Sequence, residues 1–152
     1  MKKINVPFKE VSDYTLDDFG GKRKNKTVCI VRYGAFGDII QASSLFPILK
    51  EEGYRVCVNV TETGAKLLKS NPYVDELIIQ KDNQICNTKL QDYWELMSPC
   101  FDRFIQLSES IEGTLLLSPP RVIESKGVKF NVPASDGYDL SKEEIHNQCD
   151  IN

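Results

Sequence analysis

The chain has 152 residues, a net charge of −3, 41% hydrophobic and 27% charged residues, and a pI near 5.3. That length suits one domain, and the mild acidity argues against a nucleic-acid partner held by bulk charge. No apolar run approaches the roughly 18 residues of a membrane span, and MKKINVPFKEV has a positive start without an apolar segment behind it, so the expectation is a cytoplasmic protein.

Residues 1–26 are polar and irregular and end in GGKRKNK, which reads as a solvated lead-in more readily than as a binding patch. The first predicted strand is Val28 to Arg32. A helix over Asp38 to Glu52 carries Ile39, Ala42, Leu45, Phe46 and Leu49 at helical spacing, with a bend at Pro47 and a stop at Gly53. RVCVNV alternates Val56, Val58 and Val60 with Arg55, Cys57 and Asn59, a second strand. A short helix at Gly64 to Lys69 stops at Asn71-Pro72, and VDELIIQ forms a third strand. Asn87 is placed to cap a helix through Met97 that ends before Pro99. DRFIQL is the fourth strand, followed by the turn SESIEG and an apolar TLLL with helical character. Beyond Pro119-Pro120 the pattern fades, with VKFNV the one strand-like stretch.

Four strand–helix alternations predict a Rossmann-like α/β fold, a parallel sheet with helices on both faces. Ligands of such sheets bind beyond the carboxyl ends of the strands. Two loops qualify, Tyr33 to Asp38 and Ser108 to Gly113. The domain reading is a lead-in at 1–26, the Rossmann-like unit at 27–118 and an irregular segment at 119–152.

The five cysteines form no CxxC and no zinc-like pairing, and Cys29 and Cys57 read as small buried hydrophobes. His146 is the single histidine and lies near the carboxyl end, so acid–base chemistry falls to carboxylates. The loop Gly34-Ala-Phe-Gly37-Asp38 lacks the third glycine of a dinucleotide fingerprint and the Lys-Ser/Thr of a P-loop. Asp38 already supplies an anion where a phosphate would sit. At intermediate dielectric the repulsion costs about 1–4 kcal/mol. Two readings of Asp38 stay open: a first-turn aspartate stabilising its own helix, or a carboxylate poised to take a proton at the mouth of the sheet. In the second, Gly34 and Gly37 allow a tight turn and close approach of a hydroxyl.

The stretch IVRYGAFGDIIQASSLFPILKEEGYRVCVNV, then NPYVDELI, then FDRFIQLSESIEG, resembles the ADP-heptose:lipopolysaccharide heptosyltransferase family over roughly residues 28–118. It looks closest to the heptosyltransferase-like proteins of phage and environmental genomes. The resemblance implies an inverting, metal-independent glycosyltransferase with no cofactor, built as two facing Rossmann-like domains, the GT-B architecture. The amino-terminal domain receives a sugar or glycan acceptor. The nucleotide-sugar donor binds the carboxyl-terminal domain. This chain would then be the acceptor half, with the donor domain absent and no turnover by itself. Asp38 would be the general base that deprotonates the acceptor hydroxyl. Arg32 would hold an acidic acceptor group, or else simply pair with a nearby carboxylate. Ser108, Glu109, Ser110 and Glu112 would face the acceptor's hydroxyls, although Ser108 equally fits a helix cap. Tyr33 and Phe36 suit stacking on a sugar face, with Phe36 expected to turn into the core. The stretch from Pro119 to Asn131 departs from the family. A different class of function, a non-catalytic Rossmann-like module binding a sugar, a nucleotide or a protein, fits the same residues if no donor domain accompanies them.

Overall fold

A computed structural model of the chain describes residues 1–108, 121–125 and 128–132. Five parallel strands form one sheet in the order β1-β4-β3-β2-β5: β1 Lys2–Asn5, β2 Thr27–Val31, β3 Arg55–Thr61, β4 Glu76–Gln80 and β5 Arg103–Gln106. Every pairing is parallel, with Cys29 opposite Cys57 and Val28 opposite Arg103. The fold is the Rossmann-like α/β class expected from the alternation.

Because parallel neighbours need crossovers, helices cover both faces, and the inner strands become apolar on both sides. β2 and β4 are buried throughout, and β3 at all residues but Arg55. On one face Val28, Ile30, Val56, Val58, Val60 and Leu77 meet α1 Phe36–Ser43, α2 Phe46–Glu51 and α3 Glu62–Leu68. On the other face Cys29, Val31, Cys57 and Ile78 meet α4 Leu90–Met97. Cys29 and Cys57 are fully buried, as expected. Burial, reinforced by the neighbouring Glu76 carboxylate, pushes the Cys57 thiol up to about 12.

The first 26 residues are part of this body, which corrects the lead-in reading. β1 extends the sheet past β4, with Lys2 opposite Glu76 and Ile4 opposite Ile78. Two short 3₁₀ turns, Val11–Asp13 and Leu16–Phe19, then carry Val11, Tyr14 and Phe19 into the α4-side core. Tyr14, Phe19 and Tyr93 pack mutually at ring separations of 5.4–5.5 Å. Each buried aromatic contributes about 1.5–3 kcal/mol, enough to hold a segment without regular structure.

The basic run is likewise only partly solvated. Lys22, Lys24 and Lys26 are exposed, but the Arg23 side chain is only 9% exposed and forms an ion pair with the Glu76 carboxylate, itself 1% exposed. Arg23 also donates to Phe19 O and Gly21 O, both at 2.7 Å, and lies over the Phe101 ring at 4.5 Å.

Three local expectations are adjusted. The helix expected over 38–52 is two helices, broken at Ser44–Leu45, and Pro47 sits in the first turn of α2 instead of bending a continuous helix. A proline there gives up only an amide that the first turn leaves free anyway. Gly53, at φ 90°, ends α2 as expected. Asn87 does not cap α4; it opens the 3₁₀ turn Asn87–Lys89 that precedes it. Finally, β6 Arg121–Ser125 and β7 Val128–Val132 form an antiparallel pair, so the region after Pro120 holds a strand pair where only VKFNV was expected. The TLLL segment lies outside the described residues.

Candidate functional site at the strand-switch crevice

The strand order places the site. From β2 the chain steps to β3 and then to β4 in one direction, and afterwards returns to the opposite side of β2 to lay down β5. The crossovers that follow β2 and β4 lie on opposite faces, α1 and α2 on one and α4 on the other, and the carboxyl ends of β2 and β5 flank this reversal, a crevice of the kind where α/β sheets bind ligands.

The loop after β2 is shaped by Gly34, whose φ of 101° lies in the region that side chains resist. Ala35 then turns to extended backbone (φ −80°, ψ 171°) and serves as the N-cap of α1. Alanine has no side chain to cap with. Asp38, in the first turn, reaches back instead, and its Oδ2 accepts the Ala35 N–H at 3.1 Å. The other oxygen, Oδ1, meets Arg32 Nη2 at 3.1 Å. Arg32, the residue after β2, has a side chain 6% exposed, whereas that of Asp38 is 41% exposed. The result is a buried guanidinium holding a carboxylate that still faces water. Arg32, Asp38, Gln41, Ser44 and Leu107 line a cavity of about 330 Å³ between the ends of β2 and β5.

This geometry bears on each residue singled out from the sequence. Arg32 and Asp38 come together as an ion pair, so the strand-end pairing expected as one alternative for Arg32 is what forms. The pair balances charge locally, and an incoming anion would compete with Asp38 for the guanidinium. Gly34 shapes the turn. Gly37 lies inside the first turn of α1 with open space around it, since a Cβ there would meet nothing within 4 Å.

Ser108 is fully buried, and its Oγ accepts the Tyr33 N–H at 2.8 Å. It ties the β2 loop to the end of β5 across 75 residues. Glu109, Ser110 and Glu112 lie outside the described residues.

Tyr33 is 7% exposed, so it presents no ring to stack on a sugar. Its hydroxyl is committed: it donates to Asn59 Oδ1 and accepts Trp94 Nε1–H at 2.9 Å. Phe36 reverses the other expectation, being 54% exposed. Ile39 and Ala42 take the sheet-facing stripe of α1, which leaves Phe36 and, four residues on, Ile40 at 59% exposure on the outer side. The sequence reading missed Gln41 and Ser44. Their offsets of three and six from Asp38 are the legible signal, since residues three or four apart share a helix face.

Fold and site together define a Rossmann-like α/β domain with a carboxylate–guanidinium pair at its strand-switch crevice. Comparison with known proteins adds no closer identity: no family model, no curated protein and no solved structure matches the chain. Among the described residues no helix is long and apolar enough to cross a membrane.

Proposed function

We propose that the chain is the acceptor-binding half of an inverting, metal-independent glycosyltransferase resembling the heptosyltransferases, with Asp38 as its general base. One observation carries the reading: the partly exposed Asp38 carboxylate, fixed by Arg32 and by the Ala35 N–H, opens onto the strand-switch crevice. Each carboxylate oxygen uses one acceptor position on these partners and keeps another for an incoming hydroxyl. A hydroxyl bound there would pass its proton to Asp38 as its oxygen attacks the anomeric carbon, and the nucleoside diphosphate would leave with the bonding pair. Arg32 acts as a positioning residue by fixing the carboxylate's direction. The donor belongs to a second domain facing this crevice, and the exposed Phe36 and Ile40 lie on α1, the helix that carries Asp38. The acceptor is a sugar or glycan, and the same reading assigns the work to the cytoplasm.

The test is transfer by the protein that unites this chain with its donor-binding domain. Asp38→Asn should lower kcat by about 10²–10⁴-fold, the usual contribution of a positioned base, while leaving the melting temperature within a few degrees. Transfer within about tenfold of wild type would remove Asp38 from the chemistry.

The engaged Arg32–Asp38 pair also favours a second reading, a non-catalytic Rossmann-like module in which that pair is purely structural. It predicts that ligand binding survives Asp38→Asn unchanged and that no transfer accompanies the wild-type chain in any assembly.

A further inference from the structure

Cys86 is disulfide-bonded, whereas Cys29, Cys57 and Cys100 are free thiols. The sequence holds one further cysteine, Cys149, which lies outside the described residues. With three of the five thiols free, Cys149 is the one sulfur of the chain left to complete the bond.

Cys86 occupies the connection between β4 and α4. It is 4% exposed, it is the N-cap of the 3₁₀ turn Asn87–Lys89, and its carbonyl accepts the Lys89 N–H at 2.8 Å. A sulfur engaged in a disulfide has no proton to give, so the Thr88 hydroxyl is the donor in its 2.9 Å contact with Cys86 Sγ. The residues on either side, Ile85 and Asn87, line a cleft of about 460 Å³ with Lys81 and Asp82. A bond at Cys86 thus acts on the loop that borders this cleft.

Burial explains why the other three cysteines do not compete for the bond. Thiol–disulfide exchange proceeds through the thiolate. Burial, with neighbouring Cys57 as a lesser cause, holds the Cys29 thiol well above its ordinary value. Burial and the Glu76 carboxylate push Cys57 up to about 12, and burial raises Cys100 as well. Cys29 and Cys57 stand opposite each other in β2 and β3 and still stay unjoined.

We infer that Cys86 and Cys149 form a redox-sensitive clasp that joins the β4–α4 connection to the carboxyl-terminal stretch of the chain. Disulfides of cytoplasmic proteins are mostly of this transient, redox-sensing kind. The oxidant is a small-molecule disulfide such as oxidised glutathione. One protein thiolate attacks a glutathione sulfur, which forms a mixed disulfide and releases one glutathione thiolate. The second protein thiolate attacks the protein sulfur of that mixed disulfide and expels the other glutathione. Two protein thiols are oxidised, one glutathione disulfide becomes two glutathione thiols, and the two protein protons pass to them. Closing a loop of about 60 residues stabilises the fold chiefly by restricting the unfolded chain. The clasp uses neither Asp38 nor Arg32 and is measured on this chain without any transfer reaction, so it fails independently of the proposed function.

The experiment treats the chain with oxidised glutathione or with dithiothreitol, unfolds it in excess N-ethylmaleimide and weighs it by mass spectrometry. Three labels are expected after oxidation and five after reduction. Trypsin should release one linked pair, residues 82–89 with residues 143–152, and excess reduced glutathione should open it. The oxidised protein should melt about 10 °C above the reduced one. Cys149→Ser should remove both the linked pair and that difference; Cys86→Ser should do the same, and the Cys149 variant decides the matter if Cys86→Ser fails to fold. Five labels after oxidation, a linked pair joining Cys86 to any other cysteine, or a doubled mass from a bond between two copies overturns the pairing. A bond that excess reduced glutathione leaves closed, or equal melting temperatures of the oxidised and reduced protein, overturns the redox-sensitive clasp.

Discussion

Replacing Arg23 by Met tests whether the amino-terminal segment is integral to the fold. Arg23 and Glu76 are 9% and 1% exposed, so removing the guanidinium leaves a carboxylate in the core without its main partner. Breaking a buried pair from one side costs about 3–5 kcal/mol. Arg55 partly compensates from 3.8 Å, but it is 46% exposed and poorly placed to substitute. The carbonyls of Phe19 and Gly21 lose their donor as well. The expected loss is therefore near the lower end of that range, about 3 kcal/mol. At about 4 °C per kcal/mol for a domain near 100 residues, the melting temperature should fall by about 12 °C. Trp94, the single tryptophan, is buried in the same core cluster, so urea unfolding followed by its fluorescence reads the change directly. The double variant Arg23→Met/Glu76→Leu should recover most of the loss, because an apolar pair of similar volume avoids the stranded charge. A loss below about 1 kcal/mol for Arg23→Met, the value of a surface pair, would refute the reasoning and return residues 1–26 to a solvated lead-in.

Two further outcomes are expected. Gly34→Ala should cost about 1–2 kcal/mol, since its φ of 101° is strained for any side chain, whereas Gly37→Ala should be neutral or stabilising by up to about 1 kcal/mol. Thermal melts of the pair settle this, and the reverse order would show that the loop does not depend on a left-handed Gly34. Acid should destabilise the protein through Asp75 and Asp18. Partial burial raises each carboxyl, but bonds to Lys50 and the Val56 N–H for Asp75, and to Lys9 and the Thr15 N–H for Asp18, outweigh it and hold both below 3.8. Their stabilisation is present above pH 3.8 and is lost as pH falls through the lowered folded values. Urea midpoints measured between about pH 5 and pH 2 should show the loss, and Asp75→Asn should shrink it; an unchanged pH profile in that variant would exclude Asp75 as a contributor.

The sequence by itself determined the sheet's interior and the direction of the chain through it. The runs around Val28, Val56 and Leu77 are apolar on both faces, which only a strand covered from both sides tolerates, and the intervening helical spacing forces parallel crossovers. Gly53 marked a helix end for the same local reason, a backbone angle that side chains resist. Asp38 was legible because its position at the strand–helix turn is a matter of a few adjacent residues.

What escaped the sequence depends on partners distant along the chain. The 3₁₀ turns that bury Val11, Tyr14 and Phe19 have no periodic signature, and Arg23 is buried only because Glu76 arrives 53 residues later. Ser108 and Tyr33 looked available for a ligand because each sits at a strand end. Across the sheet they meet each other, and Tyr33 also meets Trp94, 61 residues away. Local backbone preference and hydrophobic period are properties of neighbouring residues. The burial of one polar side chain is decided by whichever groups the fold places against it, and only the assembled sheet brought those groups together.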